Sequence, residues 1–228
     1  MAPLDESAAF AALATEFQTA RDPETTARTI VDRLHEIVPD ADHVSLTLRR
    51  RGGFATLAAS DARATQVDEL QYALAEGPCV DAAATDPWIR SGDVGGDPRW
   101  PSWGPRARRL GIGSLLAVQL LRGDRPQGAI NLYSERPSRF VDREVVDVAL
   151  VSAVHAAHAL TSARLVEDLE TAMSSRHLIG MAQGVLMERF QLDEHASFEF
   201  LRRVSSAQEM KLRDTAAHLV RTRHLPGE

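Results

Sequence analysis

Arg176, Gly180, Gln183 and Met187 follow one another at steps of four, three and four, which puts all four on one stripe of an α-helix. Two long hydrogen-bonding side chains there flank a glycine, a residue that lets another backbone approach closely. Arg202 and Arg203 come next, and Lys211, Thr215, His218 and Thr222 repeat along a second helical stripe with Arg213 beside it. Side chains of these types can hold phosphates, and guanidinium planes can stack on unpaired bases. A solvated charged face with internal pairs, such as Glu199 with Arg202 or Arg203, has the same spacing. Spacing alone leaves both readings open.

The single cysteine and all three tryptophans form a second concentration: Cys79, Trp88, Trp100 and Trp103, with Tyr133 further on. Large aromatics beside a few polar groups suit a flat organic ligand, and they are equally an ordinary way to fill a second core. Cys79 is redox-sensitive only if a helix start stabilises its thiolate; a buried cysteine is inert. His155 and His158 share a helical face, but no local carboxylate or cysteine joins them, so a structural role is expected and no metal site. One cysteine cannot run a cycle that resolves an attacking thiol with further cysteines. No phosphate loop, His-Asp metal pattern or paired serine and base stands in the sequence either. The expectation is a non-enzymatic protein with no catalytic residue, and no cofactor can be named.

Elements must position these residues. The chain has 228 residues, 44% apolar and 25% charged, enough for one large domain or a medium domain plus a small one. The N-terminus lacks a signal-peptide profile and no stretch approaches a membrane span, so a reducing cytoplasm is the expected compartment, without a membrane partner. The net charge of −6 looks hostile to nucleic acid, but residues 176–224 carry seven arginines and the only lysine against six acids, a local +2, leaving −8 elsewhere.

Periodicity predicts helices over 5–20 and 23–38, then a hairpin of half-buried strands, with Val44, Leu46 and Leu48 inward and Ser45, Thr47 and Arg49 outward. A helix over 65–75, an irregular Pro- and Trp-rich segment, a short helix at 103–110 and strands at 114–121 and 128–133 complete an α+β domain of five or six mostly antiparallel strands. From Asp142 to about Ala172 nothing breaks helix. Val151, Val154, His158, Thr161, Leu165 and Leu169 there trace either an imperfect coiled-coil seam or a terminal helix packed on its own domain. Three helices follow at 174–189, 193–207 and 210–223, with Asp193 as a cap. Ile179, Ala182, Leu186 and Phe190 form the inner stripe of the first, Phe198, Leu201 and Ser205 of the second, and Leu212, Ala216 and Leu219 of the third.

Residues 176–220 resemble the ANTAR domain, an RNA-binding output module of transcription antiterminators. The words that carry the likeness are Ala182-Gln-Gly-Val-Leu-Met187, Phe198-Glu-Phe-Leu-Arg-Arg203 and Lys211-Leu-Arg-Asp-Thr-Ala-Ala217. Two positions depart from the family pattern, Gln183 where lysine is usual and Glu209 where asparagine is usual; each weakens the attraction for phosphate. The N-terminal part resembles a GAF sensory domain of the kind fused to ANTAR in actinobacteria. Here the words are Glu76-Gly-Pro-Cys-Val-Asp-Ala82, Asp97-Pro-Arg-Trp-Pro101, Gly111-Ile-Gly-Ser-Leu-Leu-Ala-Val118 and Gly128-Ala-Ile-Asn-Leu-Tyr-Ser134. Gln119 stands where a proline is common.

Together the resemblances imply a GAF domain over 1–150 with a central antiparallel sheet and flanking helices, a connecting and dimerising helix over 142–172, and a three-helix ANTAR domain over 173–224. They imply a signal-responsive homodimer that binds RNA hairpins overlapping a terminator, through Arg176, Gly180, Gln183, Arg202, Arg203, Lys211, Arg213 and Thr215. A small-molecule ligand would occupy the GAF pocket, lined by Cys79, Trp88, Trp100, Trp103 and Tyr133. The alternative is a signalling module whose C-terminal bundle contacts protein.

Overall fold

The computed structural model describes residues 15–17, 22–82 and 86–227. The chain divides into two compact units, Met1–Leu165 and Val166–Glu228. In the first, α1 (Pro23–Ile37) starts where the Asp22 carboxylate accepts from Thr25 N at 2.8 Å and Pro23 presets the first turn. Strands β1 (His43–Arg50) and β2 (Gly53–Ala59) form the expected hairpin. Helix α2 (Ala62–Leu74) is capped by Asp61 through the amides of Arg63 and Ala64 and stops at a left-handed Ala75. A short α3 (Pro78–Ala82), β3 (Trp88–Ser91), a 3-10 turn at Val94–Gly96 and α4 (Gly104–Arg109) lead into β4 (Ser114–Arg122) and β5 (Arg125–Ser134). Of the helix expected over 5–20, only 15–17 are among the described residues; Phe17 there is helical and fully buried.

All strand pairs are antiparallel, in the order β2-β1-β5-β4-β3. Period-two alternation sorts the side chains between two cores. Val44, Leu46 and Leu48 of β1, Leu116, Val118 and Leu120 of β4, and Ile130 and Leu132 of β5 pack against α1 and the start of a long helix. Leu115 and Ala117 of β4 and Ala129 and Tyr133 of β5 face the other way, onto α2 and the irregular segment with Trp100, Trp103 and Cys79. Ser45 and Thr47 are fully buried on that second face. The expectation of a solvated outer side for β1 is therefore wrong, because alternation reports polarity and cannot tell water from a buried polar partner.

The long helix, α5 (Arg143–Phe190), runs for 48 residues. The connecting helix and the first bundle helix, expected as two elements, are one: no Pro or Gly lies between Thr171 and Arg176 to stop it. Its share of the first unit buries Val146, Ala149, Ala153, Ala156, Ala157 and Leu160, while Val151 and Val154 stay exposed on the other side. An 18-residue window of this helix reaches a mean hydropathy of 1.4, contrary to the expected absence of any such run, and 44% of it is buried within the protein. The buried alanines of this run, Ala149, Ala153, Ala156 and Ala157, join the core on the α1 face of the sheet.

In the second unit the end of α5 packs with α6 (Glu194–Ala207) and α7 (Leu212–Thr222) around Ala182, Leu186, Leu201, Ala216 and Leu219. Asp193 caps α6 as expected, accepting from Ala196 N at 2.7 Å. Phe190, expected inside, is 40% exposed and leans on the Phe200 ring at 5.4 Å.

Strand packing makes one glycine indispensable. A Cβ at Gly128 would overlap the Thr47 carbonyl across the β1–β5 pair. Gly128→Ala is expected to lose about 2 kcal/mol or more of stability, read from the urea midpoint; an unchanged midpoint contradicts this close approach.

Candidate functional site

The first unit is built around a buried carboxylate. Asp68, on α2, is fully buried against the polar face of the sheet, where its two oxygens accept from Tyr133 Oη at 2.6 Å, Asn131 Nδ2 at 3.1 Å and Thr56 Oγ1 at 2.8 Å. Tyr72, one turn on, places its hydroxyl 2.7 Å from Thr47 Oγ1 and 2.9 Å from Thr56 Oγ1. Gln71 donates to Tyr133 Oη at 2.9 Å and accepts from the Cys79 amide at 2.8 Å. Burial pushes the Asp68 carboxyl up to about 6 even though these donors pull it back. It also pushes the Cys79 thiol up to about 12, which leaves that thiol protonated and inert. The Asn131 Oδ1 atom is buried with no hydrogen-bond partner among the described residues.

The Glu76-Gly77-Pro78-Cys79 word has a physical account. Glu76 Oε1 accepts from the amides of Ser102 and Trp103, both at 2.7 Å. Gly77 holds φ at +142°, with the Gln71 side chain where a Cβ would stand. Trp100 donates to Asp81 Oδ2 at 2.7 Å, and its ring meets that of Trp103 edge-on at 5.5 Å. Of the five expected pocket residues, Cys79, Trp100, Trp103 and Tyr133 share one buried cluster. Trp88 does not join them: it sits 39% exposed on the edge strand β3.

In the second unit Arg176, Arg202, Arg203, Lys211 and Arg213 are all exposed. Arg202 is paired with Glu199 at 2.7 Å, as the bland reading foresees, and Arg203 lies 5.9 Å from the centre of the Phe200 ring. Gly180 is exposed, and nothing stands within 4 Å of where its Cβ would be. Gln183 turns inward, donating to Glu194 O at 3.0 Å and Ser197 Oγ at 3.3 Å, so it ties α5 to α6. Thr215 is fully buried, its hydroxyl donating to Lys211 O at 3.2 Å; its side chain is absent from the surface that the helical stripe predicts. Glu209 holds φ at +52°, the left-handed region that asparagine enters more readily than other non-glycine residues. The family's usual asparagine is thereby explained by backbone conformation.

Comparisons with known proteins agree with this architecture. The GAF domain model matches residues 20–161 and the ANTAR domain model residues 167–220. A search of the curated proteins gives no match. Among solved structures, a bacteriophytochrome from R. palustris superposes with a TM-score of 0.62 at 14% identity, over 82% of this chain and 43% of its own length. The GAF domain of a phosphoenolpyruvate-protein phosphotransferase from Coxiella burnetii gives 0.56 at 19% identity, over 68% of this chain and 92% of that one. The type II free methionine-R-sulfoxide reductase from Thermoplasma acidophilum gives 0.50 at 20%, over 61% of this chain and 95% of that one. At such identities the likeness is one of fold, and this chain spans less than half of the bacteriophytochrome.

The Asp68 environment sets a measurable pH dependence. A carboxyl raised in the folded state loses stability as pH climbs from its unfolded value near 4 to its folded value near 6, then levels off. Asp68→Asn removes this contribution. The stability of the variant relative to wild type is expected to rise by roughly 1 kcal/mol per pH unit across that window, in urea unfolding at a series of pH values. A difference that stays flat with pH contradicts the raised carboxyl.

Proposed function

This chain belongs to the GAF domain family and carries an ANTAR domain behind it, and from that premise we propose that it is a cytoplasmic, signal-responsive antitermination regulator acting as a homodimer. A GAF domain is a sensory module and an ANTAR domain an RNA-binding one. The observation that carries the RNA reading is the set of exposed cations on the bundle, Arg176, Arg203, Lys211 and Arg213, with Arg202 held beside them by Glu199. With a local charge of only +2 over 176–224, long-range attraction is weak, so individual contacts to phosphate and to splayed bases must supply the binding. Gly180 leaves room for a backbone to come close. Gln183 and Thr215 serve the bundle's own packing and drop out of the contact set.

Dimerisation is favoured by what α5 leaves uncovered. Every residue from Leu165 to Ser174 is exposed, including Leu165 at 59%, Val166 at 36%, Leu169 at 55% and Met173 at 72%. A bare helical stretch of this length is marginal in water, and apolar side chains at steps of three and four support a second helix. Two weakly binding bundles joined in one dimer raise each other's effective concentration on paired hairpins. A signal that alters the seam would then alter RNA binding. In the GAF unit, a small-molecule ligand is assigned to the second core, where four of the five expected lining residues, Cys79, Trp100, Trp103 and Tyr133, cluster.

The test is binding of the full-length protein to a leader transcript holding a terminator and its competing hairpin, across a salt series. Arg176→Ala and Lys211→Ala are each expected to weaken binding about 5- to 10-fold and to reduce the salt slope by about one. Leu169→Glu with Met173→Glu is expected to yield monomers with weaker binding. Unaltered RNA affinity in all these variants sinks the reading and leaves the bundle as a protein-binding module.

A further inference from the structure

One end of the sensory sheet carries charge of the wrong sign for its unit. Arg49 and Arg50 finish β1 and Arg51 opens the turn into β2, while Arg122 and Arg125 flank the turn between β4 and β5. The two turns are neighbours, because Leu48 pairs with Gly128 and Arg122 with Arg125 across strands spaced about 5 Å apart. The two turn segments hold five arginines and one acid, Asp124, in a chain that nets −8 outside residues 176–224. Arg50, Arg51, Arg122 and Arg125 are exposed and form no ion pair among the described residues. The turns are thin and uncovered: Gly52, Gly53 and Gly123 all hold positive φ, and no atom lies within 4 Å of a Cβ built on any of them. An aromatic stands beside the cations, with the Arg49 guanidinium 5.3 Å from the centre of the Phe54 ring.

Arg50, Arg51, Arg122 and Arg125, like charges gathered on open turns without an ion pair among the described residues, oppose the folded state. Such a group fits an external polyanion. Arginine, with its planar fork of donors, suits phosphate oxygens and stacks on bases, and two adjoining turns present a width of sheet end instead of a point. Helix α5 leaves the sensory unit at this same end, where Arg164 Nη1 meets Gln127 Oε1 at 3.4 Å. Both units belong to one chain, so RNA held by one of them has a raised effective concentration at the other.

We propose that the arginine-bearing end of the sensory sheet, formed by the β1–β2 and β4–β5 turns, is a second, sequence-independent RNA contact that grips phosphates of the transcript held by the bundle. The inference rests on the RNA reading above and adds to it a direct role for the sensory unit in holding RNA. Each neutralised phosphate contributes close to one unit of salt slope.

The experiment uses the full-length protein with three probes, the leader transcript, single-stranded poly(U) and anionic lipid vesicles, across a salt series. The fourfold variant Arg50→Ser, Arg51→Ser, Arg122→Ser, Arg125→Ser changes only exposed turn residues, and its thermal unfolding is checked against wild type. Its affinity for the leader transcript is expected to fall about 10- to 100-fold at low salt, with a slope shallower by about three, and its poly(U) binding to weaken at least as much. The matching fourfold change to lysine is expected to keep most of the slope. Unaltered affinity and slope in the serine variant, with Arg176→Ala still weakening the transcript, overturn this contact and leave the bundle's RNA reading standing. Failure of wild type to bind either RNA probe overturns both. Unaltered RNA binding alongside lost binding to anionic lipid vesicles assigns the arginines to a membrane and overturns the RNA contact.

Discussion

Asp68 is a carboxylate without a cationic partner among the described residues, placed inside the sensory unit where water does not reach it. Burial of such a group is tolerated only where hydrogen bonds replace its hydration, and the donors must come from several elements at once: Thr56 from β2, Asn131 and Tyr133 from β5. That requirement fixes how α2 lies on the sheet. It also explains why β1 turns polar residues to that face, since Asn131 donates in turn to Ser45 and Thr47. Gln71 extends the same network to the Cys79 amide, so the irregular segment that roofs the second core is anchored to the same carboxylate. The apolar core on the other face of the sheet has no comparable constraint and is filled by ordinary alternation.

Much of this was legible in the residues themselves. The inward set of β1, the cap at Asp193 and most of the bundle's inner stripes follow from spacing, because apolar side chains and short-range capping groups act on their neighbours in sequence. What escaped depends on partners distant in the chain. Ser45 and Thr47 read as solvated, because the carboxylate that receives the β1 and β5 polar groups is supplied by α2. Thr215 and Gln183 read as surface donors, because a helical stripe shows which residues share a face and not which face the neighbouring helices cover. Trp88 was grouped with the other tryptophans by proximity in sequence, while the edge position of β3 leaves it at the surface. The one signal in reach was Asp68 itself, an acid among Val67 and Gln71 on a helix whose buried side is part polar.

The distribution of charge gains meaning from the fold. A net −6 describes a chain on which two basic regions stand apart in sequence, the cations of the C-terminal bundle and the turns of the sensory sheet. Neither is strongly basic alone.

The bare stretch of α5 has a further consequence for how the protein opens. From Leu165 to Ser174 the backbone hydrogen bonds are shielded by no neighbouring element, so the free energy needed to unwind a turn there is small compared with that of the flanking cores. Amide hydrogens in this stretch should exchange with solvent well before those of Leu160 on one side or Leu186 on the other. A protease should also find its first cut here and release two folded pieces. Pairing with a second chain would close that window, which makes the exchange rate of ten amides a direct gauge of assembly in solution.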